Sequence, residues 1–436
     1  MAGCSTLSGR RWQHPAGRAA TAVVEKHLVQ TTLPDETYVE HSPRVDADVI
    51  IGAGFAGLGM AIRLEQRGLD SFLVLERASD VGGTWRDNRF PGCACDIPSL
   101  LYSFSFEQDP AWTRVFPRQE EIFGYLRRCA DKYRVRSHIR FGAELLDAAY
   151  DEPSATWRVR TTDGRTFTSR VLISAMGPLN RANIPALPGI DRFKGAAFHS
   201  SQWDASVDLR DKDVAVIGTG ASAIQIVPEI APVVRNLTLF QRTPPWVIPR
   251  NDGPVSPLQR FLRHRIPGYT SAVRTLIYWM LEIRAYGFTV KPDLLHSREA
   301  LALKYLDRQI PEPELRRKVT PNYRLGCKRV LISDDYYPAL RRPNVEVVAA
   351  PVTELREGSV VAADGTEHPA DLVVFATGFR ATQGFAPIRV YGRGGRELGD
   401  AWRDGMEAYL GTSITGFPNL FILIGPNTGL GTTRWS

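Results

Sequence analysis

Asp46-Ala-Asp-Val-Ile-Ile-Gly52-Ala-Gly54-Phe55-Ala56-Gly57 decides the fold, and it runs on into the helical spacing of Leu58–Gln66. A short apolar strand, then Gly-x-Gly-x-x-Gly, then a helix is the context in which that glycine spacing binds a dinucleotide. Gly52 permits the tight turn, Gly54 lets the backbone approach a pyrophosphate, and Gly57 lets helix and strand pack closely. Phe55 and Ala56 open the helix whose N-terminus faces the phosphates. The next strand, Ser71-Phe-Leu-Val-Leu, ends at Glu76, 76 − 52 = 24 residues past the first glycine, where an acid accepts the ribose hydroxyls.

The figure occurs twice. Asp213-Val-Ala-Val-Ile-Gly218-Thr219-Gly220-Ala221-Ser222-Ala223 repeats the strand, turn and helix, with alanine in the third glycine's place. The strand that follows, Leu237–Phe240, ends in Gln241-Arg242-Thr243, so 242 − 218 = 24 residues after Gly218 there stands a cation beside a hydroxyl. An acid at this point suits a free 2′-hydroxyl and an arginine suits a 2′-phosphate, so the first unit is expected to bind FAD and the second NADPH. Each unit also has an Asp-Gly hairpin turn and a returning strand closed by glycine. From Asp163 to Gly177 and from Asp364 to Gly378 the count is 14 both times.

The expected fold class is therefore α/β, with two Rossmann-like dinucleotide-binding domains and a helical insertion in the second. Residues 1–44 read as a disordered or non-native extension, because they carry arginines without acids up to Val24 and no apolar core segment. Residues 45–180 read as the first part of the FAD domain and 181–210 as a linker. The NADP domain is read over 211–370, with helices at about 254–320, and 371–436 as a return to the FAD domain.

At 436 residues the chain holds two or three ordinary domains, and 43% hydrophobic and 23% charged content are those of a soluble globular protein. The net charge of +7 is spread along the chain, and no nucleic-acid-binding motif accompanies it. Five cysteines fit neither a zinc spacing nor an even disulfide framework, which points to a reducing, cytoplasmic compartment and to no metal. The strongest candidate for a membrane segment, Leu276–Leu281, is short and flanked by Arg274, Glu282 and Arg284. Its spacing predicts an amphipathic, mostly buried helix and no integral membrane segment.

Two further stretches carry chemistry. Gly82-Gly83-Thr84-Trp85 is followed by Phe90-Pro-Gly92 and Asp96. Paired glycines at a loop start allow close backbone contact with a flat ring, Trp85 can wall it, and Asp96 brings a carboxylate to the same place. Between the two nucleotide motifs lies Phe193-Lys-Gly195-Ala-Ala-Phe-His199-Ser-Ser-Gln-Trp203-Asp204. Taken singly, Trp85 reads more readily as core and Asp96 as a cap; together in this spacing they read as functional.

These two stretches resemble, position for position, the patterns [A/G]-G-x-W-x4-[F/Y]-P-[G/M]-x3-D and F-x-G-x-x-x-H-x-x-x-W-[P/D] of the type I Baeyer–Villiger monooxygenases, which are class B flavoproteins. The resemblance runs from about residue 45 to about Gly429. It implies that NADPH reduces FAD and that O2 adds at the flavin C4a. The resulting peroxide then attacks a ketone, which rearranges to an ester or lactone. Asp96 and Arg329 match a pair that in the family sits over the flavin, with Arg329 as fixed positive charge and Asp96 orienting it. Lys328, Arg242 and Thr243 would hold the 2′-phosphate. His199 and Trp203 would couple the domains and seat the nicotinamide, without proton transfer. Tyr102 and Leu145 are further candidates for cofactor contact. Family members continue for tens of residues past Gly429, so a shortened chain that keeps flavin poorly or leaks hydrogen peroxide is also expected. Three readings compete: oxidation of sulfur or nitrogen, a two-domain reductase, which would want CxxC where Cys93-x-Cys95 stands, and a non-catalytic nucleotide-binding protein.

Overall fold

The computed structural model describes residues 47–109, 111–289, 294–381, 385 and 387–428; the expectations for residues 1–44 and for the chain from Gly429 lie outside them. The chain divides into two units. The first takes the chain up to Gly83, Arg128–Pro178 and the stretch from Ala381; the second takes Thr84–Arg127 and Leu179–Arg380.

In the first unit, β1 (Asp48–Ile51) is central to a five-stranded parallel sheet with β2 (Phe72–Glu76), β3 (Ile139–Phe141), β7 (Leu172–Ser174) and β19 (Leu420–Ile422), in the order β19-β7-β1-β2-β3. All five residues of β2 are buried, which is why it reads as an unbroken apolar run ending in one acid. Helix α1 (Phe55–Gln66) returns over this sheet and buries Leu58, Ala61, Ile62 and Leu64. A second, four-stranded sheet in the order β18-β4-β5-β6 joins β4 (Leu145–Asp151), β5 (Thr156–Thr161), β6 (Thr166–Ser169) and β18 (Arg389–Tyr391). Gly164 turns its β5–β6 hairpin at φ +86°. Helix α2 (Gln119–Lys132) spans the point where the chain re-enters this unit.

The second unit repeats the plan. Strand β9 (Asp213–Ile217) is central among β8 (Ala196–His199), β10 (Asn236–Phe240), β13 (Val345–Val348) and β17 (Leu372–Phe375), all parallel, in the order β13-β10-β9-β17-β8. Helix α3 (Ala223–Ile230) follows β9 and is apolar almost all round. The Asp364-Gly365 hairpin lies in a three-stranded sheet of β14 (Val352–Arg356), β15 (Ser359–Ala362) and β16 (Glu367–Pro369). The insertion is helical as expected: α4 (Pro257–Arg265), α5 (Tyr269–Thr289), α6 (Leu294–Gln309) and α7 (Pro313–Val319). Two strands flank it, β11 (Val247–Ile248) and β12 (Leu331–Ile332), and they pair in parallel. Helix α8 (Tyr336–Leu340) follows β12 and buries Tyr336, Tyr337, Ala339 and Leu340.

Four expectations change. Residues 181–210 are no linker, because Ala196–His199 hydrogen-bond along β17 as the second sheet's edge strand. Gly195 is what admits it: a Cβ there would lie 2.3 Å from the Asp371 carbonyl oxygen, which accepts the Ala196 N–H. The return to the first unit comes at Ala381 rather than 371, since β17 pairs with β9. The stretch with Trp85 and Asp96 packs in the second unit, where Phe90 and Cys93 join the core of β9, β10 and α3. Lastly, α5 is not mostly buried, because Leu276, Trp279, Met280 and Ile283 face solvent.

Candidate active site

The first nucleotide turn is built by backbone crowding on one side and space on the other. Gly52 sits at φ +99°, and a Cβ there would lie 2.9 Å from the Ala175 oxygen. At Gly57 a Cβ would lie 1.8 Å from the Gly52 oxygen, so the protein itself demands glycine. Gly54 is different: a Cβ would meet only the Gly83 Cα, at 3.7 Å. No side chain caps the N-terminus of α1, where Phe55 and Ala56 stand. Glu76 is buried at the end of β2, and its carboxylate accepts the Ala53 N–H at 2.8 Å and the Ala78 N–H at 3.0 Å. Those two bonds aim the acid at the turn. The Leu145 side chain is buried in the first unit's core beneath β4.

The second turn is alike. Gly218 sits at φ +111°, where a Cβ would be 2.5 Å from the Ala376 oxygen, whereas nothing lies within 4 Å of a Cβ on Gly220. Ala223 is fully buried where the first unit has Gly57. Thr219 donates its hydroxyl to the Thr243 carbonyl at 3.0 Å and so ties the turn to the end of β10. Neither Ser222 nor any other side chain caps α3, and Ala221 precedes it. Arg242 is exposed and makes no ion pair among the described residues. Lys328 is exposed too, its ammonium 4.9 Å from the centre of the Tyr323 ring.

Asp96 and Arg329, 233 residues apart in the chain, meet within the second unit: an Arg329 Nη2 hydrogen donates to Asp96 Oδ2 in a half-exposed ion pair. Each partner is held by its backbone. Gly92 lets the Asp96 loop lie against α3, since a Cβ there would be 2.6 Å from the Gln225 oxygen. The Gln225 amide then pairs with Ala94, donating to its carbonyl at 3.0 Å and accepting its N–H at 3.3 Å. Arg329 is delivered by β12, whose Leu331 N–H donates to the Trp246 carbonyl at 2.8 Å. Arg250 joins the two sides. It donates to the Cys95 carbonyl at 2.9 Å and lies 5.0 Å over the Phe116 ring, and its own N–H donates to Asp334 at 2.9 Å. Neither Arg250 nor Gln225 belongs to a pattern readable in the sequence.

Trp85 donates its ring N–H to the Tyr102 hydroxyl at 2.8 Å, edge to face, and the Gln119 amide donates to the Trp85 carbonyl. Burial pushes the Tyr102 hydroxyl well up from its ordinary value, so it stays a neutral hydrogen-bonding group. Thr84 opens the one-turn helix Thr84–Asp87 that presents Trp85. Cys93 and Cys95 are free and buried. Burial pushes Cys93 up to about 12 and Cys95 higher than usual, which removes the reactive thiolate a dithiol reductase needs. Among the described residues no cluster of His, Cys, Asp and Glu could hold a metal.

The residues of the stretch Phe193–Asp204 serve the second unit's frame. Phe193 packs on its core, while Phe198 and Trp203 meet edge to face at 5.2 Å. Asp204 caps its own turn through Ser206, and those bonds hold its carboxyl below the usual range. His199 is fully buried, and both ring nitrogens are engaged. Nδ1 accepts the Ser201 N–H at 3.2 Å, and Nε2 donates to the Gly378 carbonyl at 2.9 Å. The ring thus ties edge strand β8 to the turn after β17 and has no nitrogen left for a ligand.

Burial holds His199 below its ordinary value of 6.5. The unfolded chain therefore takes up this proton more readily. The stabilisation is complete above about pH 6.5 and fades as the pH falls below it. The melting temperature should fall between pH 7.5 and 5.5, and His199→Gln should reduce that fall while lowering the pH 7.5 value; thermal melts of both proteins at both pH values check this.

Residues 49–269 match the family model described as pyridine nucleotide-disulphide oxidoreductase. Over 382 residues, 88% of this chain and 73% of the relative, it is 50% identical to a Baeyer–Villiger monooxygenase of Streptomyces coelicolor. Among solved structures it is similar to cyclohexanone monooxygenase of Rhodococcus sp. Phi1 bound to NADP+, with TM-score 0.80 and 32% identity over 88% of this chain and 80% of the other. It is also similar to OTEMO in complex with FAD and NADP, with TM-score 0.78 and 33% identity over 88% and 81% of the two chains.

Proposed function

The chain belongs to the Baeyer–Villiger monooxygenases, and from that premise we propose how its own residues run the reaction. It is an FAD-containing, NADPH-dependent enzyme that inserts one atom of O2 beside a ketone carbonyl to give an ester or lactone. NADPH and a proton take up the other atom, so one water and one NADP+ leave per ester formed.

The residues present fit both nucleotides. At Gly54 and Gly220 the protein does not itself require glycine, and the space a Cβ would fill is what a pyrophosphate needs when it lies on a helix N-terminus. We assign the FAD pyrophosphate to Gly52–Gly57 and its ribose to Glu76, and the NADP pyrophosphate to Gly218–Ser222. We assign Gly83, Thr84, Trp85 and Tyr102 to contacts with the cofactor, Trp85 and Tyr102 acting as one hydrogen-bonded aromatic pair. Arg242, Lys328 and Thr243 are assigned to the 2′-phosphate. Bound FAD, reduced by NADPH, supplies the activated oxygen.

The single observation that carries the catalytic assignment is the Arg329–Asp96 pair. A guanidinium stays charged at every pH an enzyme meets. Fixed in advance, it stabilises negative charge developing on oxygen without reorganising at the moment of reaction. Asp96 keeps the guanidinium plane oriented, and Arg250 and Gln225 keep Asp96 in place.

The test follows NADPH consumption by the FAD-supplemented protein, with and without ketones, alongside hydrogen peroxide. Ketone-stimulated consumption with ester formed supports the assignment; consumption yielding only peroxide at every ketone opposes it. A second expectation concerns the coenzyme. Arg242→Gln should lower kcat/KM for NADPH about ten- to a hundredfold, the worth of a charge-assisted bond at roughly 1.5–3 kcal/mol. The value for NADH should change little, and steady-state kinetics with both coenzymes decide it.

A further inference from the structure

The helical insertion carries an exposed apolar face. On α5, Leu276, Trp279, Met280 and Ile283 follow one another at helical spacing, and Leu276, Trp279 and Ile283 are 60%, 59% and 72% exposed. On α4, which packs against α5, Leu258 and Phe261 are exposed one turn apart, and Ile266 is exposed just beyond the helix end. Soluble proteins scatter such residues singly; a helical stripe of them marks a surface that meets something apolar.

Charge says what that something is. From Pro257 to Thr289 the sequence holds Arg260, Arg263, Arg265, Arg274 and Arg284 against one acid, Glu282. Arg260, His264 and Arg265 are exposed among the apolar side chains of α4. Helices with Trp, Phe and Leu on one face, flanked by arginine and nearly free of acid, lie in the interface of an anionic bilayer: the rings and aliphatic chains enter the acyl boundary and the guanidiniums meet phosphate. A protein partner would have to supply a matching apolar groove ringed by acids, which a lipid surface supplies without design. No helix among the described residues is long and apolar enough to cross a membrane, so the contact is a surface one.

We propose that α4 and α5 form a docking face for anionic phospholipid membranes. The same helix reaches the site: Arg274 on α5 donates to the carbonyls of Leu100 at 2.5 Å and Leu101 at 3.1 Å, in the loop that carries Tyr102. Docking therefore sets the stripe of α5 in lipid while its Arg274 side is fixed to that loop. The proposal stands on exposure and charge and does not depend on which substrate is oxidised.

The experiment is co-sedimentation of the FAD-bound full chain with phosphatidylcholine vesicles and with vesicles containing 30 mol% (about one lipid in three) phosphatidylglycerol, at low and high salt. Binding to the anionic vesicles that weakens with salt is expected. Leu276→Ser with Trp279→Ser should lower the partition coefficient at least tenfold. Arg260→Glu with Arg265→Glu should lower it at least as much, since each lost arginine is worth roughly fivefold near such a surface. Flavin content and NADPH oxidation in solution should be unchanged in both. No binding to anionic vesicles overturns the proposal, as does binding that the variants leave intact. A concentration-dependent dimer in solution that Trp279→Ser abolishes would assign the face to a second copy of the chain and overturn it too.

Discussion

Arg329→Ala should lower ester formation by about 10²–10³-fold, the usual cost of removing one preorganised donor to a developing oxyanion, while NADPH still reduces the bound FAD. The hydrogen peroxide formed per NADPH should rise correspondingly, because the activated oxygen is still made and no longer used. The geometry makes this loss specific. Arg329 enters from the loop before β12 and is paired with Asp96, and it belongs to no core cluster. Removing it breaks chemistry before it breaks folding. Asp96→Ala should cost less, because the charge remains and only its aim is lost. Arg329→Lys should recover little of the loss, since an ammonium cannot present the planar fork that Asp96 grips. Rapid-mixing measurement of flavin reduction beside product analysis separates the steps; equal loss of flavin reduction in Arg329→Ala would show that the residue serves NADPH instead.

Gly57→Ala should leave almost no FAD-bound protein, and Gly220→Ala should fold normally yet raise the KM for NADPH tenfold or more. Both residues are glycines of a Gly-x-Gly-x-x-Gly/Ala motif, and their surroundings separate them. The Cβ at position 57 would lie 1.8 Å from the Gly52 carbonyl oxygen, a backbone atom in the turn itself that cannot step aside. Such a clash between helix and turn belongs with the exceptional substitutions that cost more than about 4 kcal/mol. At position 220 a Cβ meets nothing within 4 Å, so the folded chain has no objection to alanine. On our assignment that space receives the nucleotide, and filling it should be felt only when NADPH arrives. Thermal melts and bound-flavin absorbance read the first variant, and coenzyme titration reads the second. A normal melting temperature for Gly57→Ala, or an unchanged KM for Gly220→Ala, would contradict the reading.

The two nucleotide units were legible in the chain because everything they need is local. A strand, a turn and a helix occupy consecutive residues, and the acid or arginine to which we assign the choice of nucleotide stands at a fixed distance, 24 residues from the first glycine in both cases. The even count from hairpin to closing glycine was readable for the same reason. It corresponds to β7 lying beside β1 and β17 beside β9. Asp96 and Arg329 were recognisable only as members of a pattern. That they touch is a fact about folding 233 residues of intervening chain.

Residue types and spacing by themselves determined the fold class, the two glycine turns, the choice of Glu76 and Arg242 at the strand ends, and the helical nature of the insertion. Tertiary structure alone decided which unit claims Thr84–Arg127, that Ala196–His199 form an edge strand, and that His199 spends both nitrogens on the frame. It also decided that Gln225 and Arg250 hold the Asp96 loop, and that the stripe of α5 faces outward. The division has one physical cause. Backbone geometry and helix or strand periodicity act over a few residues and leave their mark in the local sequence. Burial and hydrogen-bond partnership are settled between segments far apart in the chain. An amphipathic stripe such as Leu276-Trp279-Ile283 says that one side of a helix is apolar, and only the packed chain says what that side meets.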